Sequence, residues 1–138
     1  MRTDIGVIFP DGEELGLLGA RALARGAAER FAGTAVVNFD GLDDLGRPIA
    51  VLHRPGPVGR AVARALASGG NRGRRARWLP VVVDGLALAG VARECVTILK
   101  GSWRTAQIVH TPRDRPARLT LAGVRVVAQG VARALTPP

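Results

Sequence analysis

The chain is poor in residues that crosslink or stack. Its one cysteine, Cys95, excludes an internal disulfide framework and a cysteine-based zinc site. It has no tyrosine and only 4% aromatic residues, so it lacks the interleaved aromatic side chains that stack on nucleic-acid bases. No apolar run reaches the roughly 18 residues that a membrane-spanning helix needs. Residues 1–4 show neither the charged nor the apolar region of a signal peptide.

Lysine is also scarce, because Lys100 is the only lysine among 20 basic residues. A net charge of +9 would suit a nucleic acid or an anionic membrane surface. However, the arginines lie among abundant Ala, Gly and Val, which indicates GC-rich coding bias. The densest cluster, residues 72–77, follows two glycines and separates two apolar segments, so we interpret it as a solvated loop. We therefore predict no nucleic-acid partner, and a basic binding module that uses this cluster is kept as an alternative.

Apolar segments alternate with helical patterns along the 138 residues, a length that fits one domain. Short apolar runs that fit buried strands are found at residues 5–9, 35–39, 49–52, 79–83, 95–99 and 106–109. Helical patterns are found at residues 15–30, 57–68 and 84–91, and from a cap at Thr120 to the C-terminus. This alternation predicts an α/β fold, with three α/β/α layers and a mostly parallel or mixed sheet.

Acidic residues are rare but concentrated just after the predicted strands. Of the 11 acidic residues, these positions hold Asp11, Glu13, Glu14, Asp40, Asp43, Asp44 and Asp84, and His110 follows the strand predicted at 106–109. Ligands of open α/β sheets bind beyond the carboxyl ends of the strands, and a divalent cation would offset the mutual repulsion of these carboxylates. Plain turns are the alternative, since Asp-Gly pairs are common in turns, although turn chemistry does not explain the paired glutamates.

Three segments resemble a known family in both pattern and order. The segment at residues 9–20, FPDGEELGLLGA, resembles the signature of the co-catalytic dizinc aminopeptidases, which include bacterial leucyl aminopeptidases and glutamate-carboxypeptidase-like enzymes. Residues 37–40, VNFD, resemble the family's next element, an Asn-x-Asp at the end of a strand. Residues 108–114, IVHTPRD, resemble its late His-x-x-x-Asp element. The first segment is highly specific, and the three together span most of the chain.

The resemblance implies a role for each matching residue. Glu13 is expected to be the general base, Glu14 and His110 to bind one zinc ion, and Asp40 to bind a second. Zinc lowers the pKa of its bound water to about 7, and Glu13 would pass that proton to the leaving amine. Asp84 lies where the family often places a residue near the substrate, although the flanking motif is absent. The implied substrate is a peptide or aminoacyl compound. His53 matches no family position, so we interpret it as a solvated loop residue.

The family also uses an upstream histidine and an upstream aspartate that bridges two zinc ions, and neither is present in this sequence. We therefore expect residues 1–138 to form a single incomplete catalytic domain, the C-terminal portion, without the N-terminal strands of the sheet. Catalytic zinc usually needs three protein ligands, so weak metal binding and little activity are expected. An exposed sheet edge is expected to favour self-association. A non-catalytic relic of the same fold is a further alternative. Localisation stays open, since relatives are often exported.

Overall fold

A computed structural model of the protein describes residues 4–68, 72–78 and 80–136. Its strands are β1 Ala35–Leu42, β2 Arg47–Arg54, β3 Arg74–Ala76 and β4 Glu94–Gly101. Its helices are α1 Leu18–Gly26, α2 Ala28–Ala32, α3 Pro57–Ala67, α4 Asp84–Ala89, α5 Trp103–Ala106 and α6 Ala122–Leu135. A 3₁₀ turn at Pro116–Arg118 precedes α6. Within the described ranges, no helix is long and apolar enough to cross a membrane.

The strands form one mixed sheet in the order β1-β4-β2-β3. β1 runs parallel to β4, β2 runs antiparallel to β4, and β3 runs parallel to β2. Because β1 and β4 point the same way, the segments that follow them leave from the same end of the sheet. β1 also forms one edge of the sheet as far as the described residues extend. The predicted mixed sheet is confirmed.

Helices cover both faces of this sheet and complete the predicted three layers. One face packs against α3 and α6 through a core that contains Leu52, Val62, Leu66, Ile98 and Val127. The other face packs against α1, α2 and α4 through a smaller cluster that contains Leu17, Ala20, Phe31 and Leu88. The apolar stripes of α3 and α6 predicted these contacts, since their buried residues recur with helical spacing.

The strand predicted at residues 5–9 is wrong. This segment has no regular structure, and Ile5, Val7 and Phe9 are 75%, 75% and 91% exposed. A strand is stable only when a neighbour accepts and donates its backbone hydrogen bonds, and none of the described strands lies beside this segment. The segment is apolar, as a buried strand would be, but an apolar composition does not ensure that a neighbouring strand is present.

The apolar run at residues 79–83 is also not a strand in its described part, residues 80–83, while Leu79 lies outside the described residues. Val83 is buried, but Val82 is 65% exposed. The short strand lies earlier, within the arginine cluster, where β3 pairs with residues 49–51 of β2. Arg74 and Arg75 stay exposed there, because β3 is the last strand of the described sheet. The cluster is therefore partly an edge strand and not wholly a loop.

Three further boundaries differ from the prediction. Residues 106–109 do not form a strand: Ala106 ends α5 and residues 107–109 are turns. The helix predicted at residues 15–30 begins at Leu18 and is interrupted at Ala27, whose φ of −133° is not helical. The strands predicted at residues 35–39 and 49–52 are longer, because β1 continues to Leu42 and β2 begins at Arg47.

The cap predicted for α6 is also different. The residue before the helix is Leu121, which has a left-handed φ of 64° and makes no side-chain cap. Asp44 provides the carboxylate instead, since its Oδ1 accepts a hydrogen bond from Gly123 N at 2.8 Å. Its Oδ2 accepts a second bond from the Thr120 hydroxyl at 2.8 Å. The start of α6 is therefore capped by a loop that is distant in sequence.

Candidate metal centre

A tight turn between Asp11 and α1 carries the two adjacent glutamates. Leu17 N donates a hydrogen bond to the Glu13 carbonyl at 2.8 Å, and Leu18 N donates to the Gly12 carbonyl at 3.0 Å. Gly12 has a left-handed φ of 67°, which a glycine adopts without steric cost. Leu17 is buried and anchors the end of the turn. The turn therefore fixes the backbone of the glutamates at the start of α1.

His110 lies beside Glu14, although the two residues come from opposite parts of the chain. His110 Nδ1 is 3.3 Å from Glu14 Oε1, and the two side chains are 68% and 69% exposed. His110 lies in a loop after α5 and has a left-handed φ of 63°. The direction of its ring is therefore set by a turn, whereas we had predicted that His110 follows a strand. An exposed ion pair contributes at most about 1 kcal/mol, so this contact matters for its geometry more than for stability.

The carboxylates of Glu13, Asp40 and Asp84 act on one another electrostatically. Burial raises the pKa of Glu13, and negative charge on Glu14, Asp40 and Asp84 raises it further, while His110 lowers it. Burial also raises the pKa of Asp40, with additional repulsion from Asp84 and Glu14. The charges of the four other predicted site residues thus all act on the Glu13 carboxyl. Asp40 belongs to β1 itself, close to its C-terminal end.

Asp84 begins α4 and is only 9% exposed. Its Oδ1 is buried and has no hydrogen-bond partner among the described residues. Burial raises the pKa of the Asp84 carboxyl, because the charged form loses hydration that no partner replaces. An unpaired buried carboxylate is costly, so Asp84 lowers the stability of the fold at neutral pH.

Replacing Asp84 with asparagine is expected to raise the free energy of unfolding at pH 7 by about 1 kcal/mol. The folded state holds the Asp84 proton more tightly than the unfolded state, whose pKa is about 3.9. The wild type therefore regains stability as the pH falls through the folded pKa, and the advantage of the variant is lost at about pH 3, below the unfolded pKa. Urea denaturation at both pH values measures this, with Asp4→Asn at an exposed position as the charge-matched control. A gain of equal size at both pH values would contradict the assignment.

A polar cluster that the sequence did not reveal lies beneath the start of α4. His53 Nε2 is 2.9 Å from the Thr97 hydroxyl oxygen, which also accepts a hydrogen bond from Asn38 Nδ2 at 3.3 Å. A Cβ atom at Gly85 would lie 2.2 Å from the Thr97 hydroxyl oxygen, so only glycine lets α4 approach this closely. Burial lowers the pKa of His53. The interpretation of His53 as a solvated loop residue is therefore wrong.

The fit to a metal ion is partial. Glu14 and His110 present a carboxylate oxygen and an imidazole nitrogen, both of which are zinc ligands, to a common position. No group of three or more His, Cys, Asp or Glu residues that could hold a metal ion is found across residues 4–68, 72–78 and 80–136. Asp40 therefore contributes to the charge of the site without joining this pair in one ligand group. The described chain offers two ligands for one ion.

Comparison with known proteins identifies the family. The sequence matches the profile of Peptidase family M28 over residues 1–135, nearly the whole chain. No curated protein and no solved structure shows a significant match. The profile match covers the Glu-Glu turn, the strand that holds Asp40 and the loop that holds His110. The chain therefore belongs to Peptidase family M28, the family of co-catalytic zinc aminopeptidases and carboxypeptidases.

Proposed function

We propose that this chain carries the C-terminal part of the active site of an aminopeptidase-type zinc hydrolase, which acts on peptide or aminoacyl substrates. The observation that supports the proposal most directly is the 3.3 Å contact between Glu14 Oε1 and His110 Nδ1. The two side chains come from distant segments and are both zinc-ligating types. The family match supports the same chemistry.

In this proposal each side chain has a distinct task. Glu14 and His110 hold one zinc ion, and Asp40 contributes to a second. Bound zinc supplies a Lewis acid that lowers the pKa of water to about 7. Glu13 accepts a proton from the attacking water and later gives it to the leaving amine. Its raised pKa suits a carboxylate that must both accept and release a proton near neutral pH. Asp84 is proposed to line the substrate pocket.

We also propose that this ligand set is completed from outside the printed sequence. Catalytic zinc usually has three protein ligands, whereas Glu14 and His110 supply two. The motif resemblance described above implies a histidine and a bridging aspartate as the missing groups. The bridging carboxylate would tie the Asp40 ion to the Glu14–His110 ion.

The 138-residue chain alone is therefore expected to bind zinc weakly and to show little peptide hydrolysis. Isothermal titration calorimetry with zinc measures the affinity, with His110→Asn as the control for binding elsewhere. We expect weak binding that the control variant loses. A submicromolar site in the unmodified chain would contradict the proposal that ligands are missing.

A non-catalytic member of the same family is the second candidate, and the absence of a three-ligand group among the described residues favours it. The DNA upstream of the Met1 codon separates the two candidates. An in-frame His-x-Asp-like element followed by a later aspartate would support the peptidase. A basic binding module is the least supported function, because it depends only on exposed arginines such as Arg74 and Arg75. Nucleic-acid binding with a steep salt dependence would be needed to support that function, and we expect none.

Self-association through the exposed sheet edge remains a proposal. β1 has no neighbour on its outer side among the described strands, and the apolar segment that contains Ile5 and Phe9 is exposed. Such surfaces pair with other chains. Sedimentation velocity is expected to show dimers or larger species that Phe9→Glu weakens and Leu135→Glu, at an exposed position on α6, leaves intact. A monodisperse monomer at micromolar concentration would contradict this.

A further inference from the structure

The loop between β1 and β2 is held by a buried lysine. Lys100 Nζ donates hydrogen bonds to the carbonyl oxygens of Asp43, Asp44 and Leu45 at 3.0, 2.7 and 3.0 Å. Lys100 is 5% exposed and belongs to β4, so the loop is fastened to the centre of the sheet. Asp43 N also donates to the Lys100 carbonyl at 2.7 Å. The position of the Asp43 backbone is therefore fixed relative to β1 and β4.

The Asp43 side chain is almost fully buried and connects this loop to two other segments. Its carboxylate oxygens accept hydrogen bonds from Arg118 Nη1 at 3.1 and 3.0 Å, and Oδ1 also accepts from Leu45 N at 3.2 Å. Burial by itself raises the pKa of Asp43, but the hydrogen bonds from Leu45 and Arg118, together with the nearby Thr105 hydroxyl, outweigh it and lower the pKa. The charged form is therefore the stable one.

The two segments joined by Asp43 flank His110. Thr105 belongs to α5, before His110, and Arg118 closes the 3₁₀ turn after it. Between them, residues 106–117 contain no buried residue, so apolar packing does not fix the course of this stretch. Asp43 interacts with residues at both ends of this stretch, through two hydrogen bonds from Arg118 and a polar interaction with Thr105. Asp40 lies in β1, and Asp43 follows three residues later in the loop after that strand.

We propose that Asp43 is a positioning residue that holds the His110 segment in place beside Glu14 and Asp40. Its buried carboxylate accepts hydrogen bonds from Arg118 after the His110 segment and lies near Thr105 before it, and Lys100 fastens the Asp43 backbone to the sheet. Asp43 touches neither Glu14 nor His110 in this arrangement and acts only through Thr105 and Arg118. The inference deepens the proposed function, because a ligand pair from two distant segments needs such a restraint.

The coupling between Glu14 and His110 tests this inference without metal. Glu14→Gln is expected to shift the His110 ring resonances in the NMR spectrum of the otherwise unmodified chain. In an Asp43→Asn background this shift is expected to fall at least about threefold. Asp44→Asn is the matched control, because Asp44 bonds the start of α6 and neither end of the His110 segment. The shift is expected to survive there.

The outcomes separate the two proposals. If Glu14→Gln leaves His110 unchanged in the otherwise unmodified chain, the contact is absent and the proposed function fails together with the inference. If the coupling is present and survives Asp43→Asn, the inference alone fails. Of the Asp43 contacts, Arg118→Gln removes only the hydrogen bonds from Arg118, which follows His110 in the sequence. It replaces Asp43→Asn in this test if that variant does not fold. Intact coupling in the folded Arg118→Gln variant would likewise overturn the inference.

Discussion

Replacing Glu13 with glutamine is expected to reduce peptide hydrolysis by about 10²- to 10⁴-fold, in the enzyme with its full ligand set, while zinc binding stays intact. Glutamine keeps the shape of the side chain but cannot accept a proton from water. The raised pKa of Glu13 arises first from burial and then from Glu14, Asp40 and Asp84. Steady-state kinetics together with zinc content measured by atomic emission would test both halves of the expectation.

The neighbouring positions give the matched comparison. Glu14→Gln and His110→Asn are expected to lose zinc and activity together, because each removes one of the two proposed ligand atoms, which lie 3.3 Å apart. The two adjacent glutamates would thus have different roles: Glu13 would carry the proton and Glu14 would bind the metal. Zinc loss in Glu13→Gln as large as that in His110→Asn would overturn this division of roles.

Replacing Lys100 with methionine is expected to lower the free energy of unfolding by about 3–5 kcal/mol. Methionine fills a similar volume, but it leaves the carbonyl oxygens of Asp43, Asp44 and Leu45 without the ammonium group that they share. Unpaired buried carbonyls cost free energy, and the loop that binds Arg118 would also lose its support. Thermal and urea unfolding of the purified variant measure the loss.

Arg104→Met is the control for Lys100→Met, because it removes one positive charge at an exposed position of α5. We expect it to change stability by less than about 0.5 kcal/mol. If Lys100→Met behaved like this control, the three carbonyl contacts would contribute little and the loop would need another anchor. Lys100 is the only lysine in these 138 residues, so no second lysine side chain can replace it.

The elements predicted best were those with a strong repeating pattern. The apolar stripe of α3 and the apolar runs of β2 and β4 are visible in the local sequence, and their bounds agree with the structure within a few residues. Short apolar runs failed at residues 5–9 and 106–109 because a strand also needs a hydrogen-bonding neighbour. That neighbour is a property of the tertiary fold and leaves no trace in five residues of sequence.

In the candidate site, too, local motifs were predictable from the sequence and long-range contacts were not. The family motif predicted roles for Glu13, Glu14, Asp40 and His110; the structure places His110 against Glu14, and the metal-binding roles stay predictions. The supporting residues escaped notice because their partners lie far away in sequence: Arg118 is 75 residues from Asp43, and Lys100 is 57 residues from it. His53 was misjudged for the same reason, since its bond to Thr97 spans 44 residues. No local pattern marks such pairs.

Anomalous X-ray diffraction at the zinc edge, from crystals soaked in zinc, most directly tests whether Glu14 and His110 bind one ion. We expect a peak within about 2.0–2.2 Å of a Glu14 carboxylate oxygen and a His110 ring nitrogen, with Glu13 close by. A peak elsewhere on the surface, with the His110 ring turned away from Glu14, would contradict it.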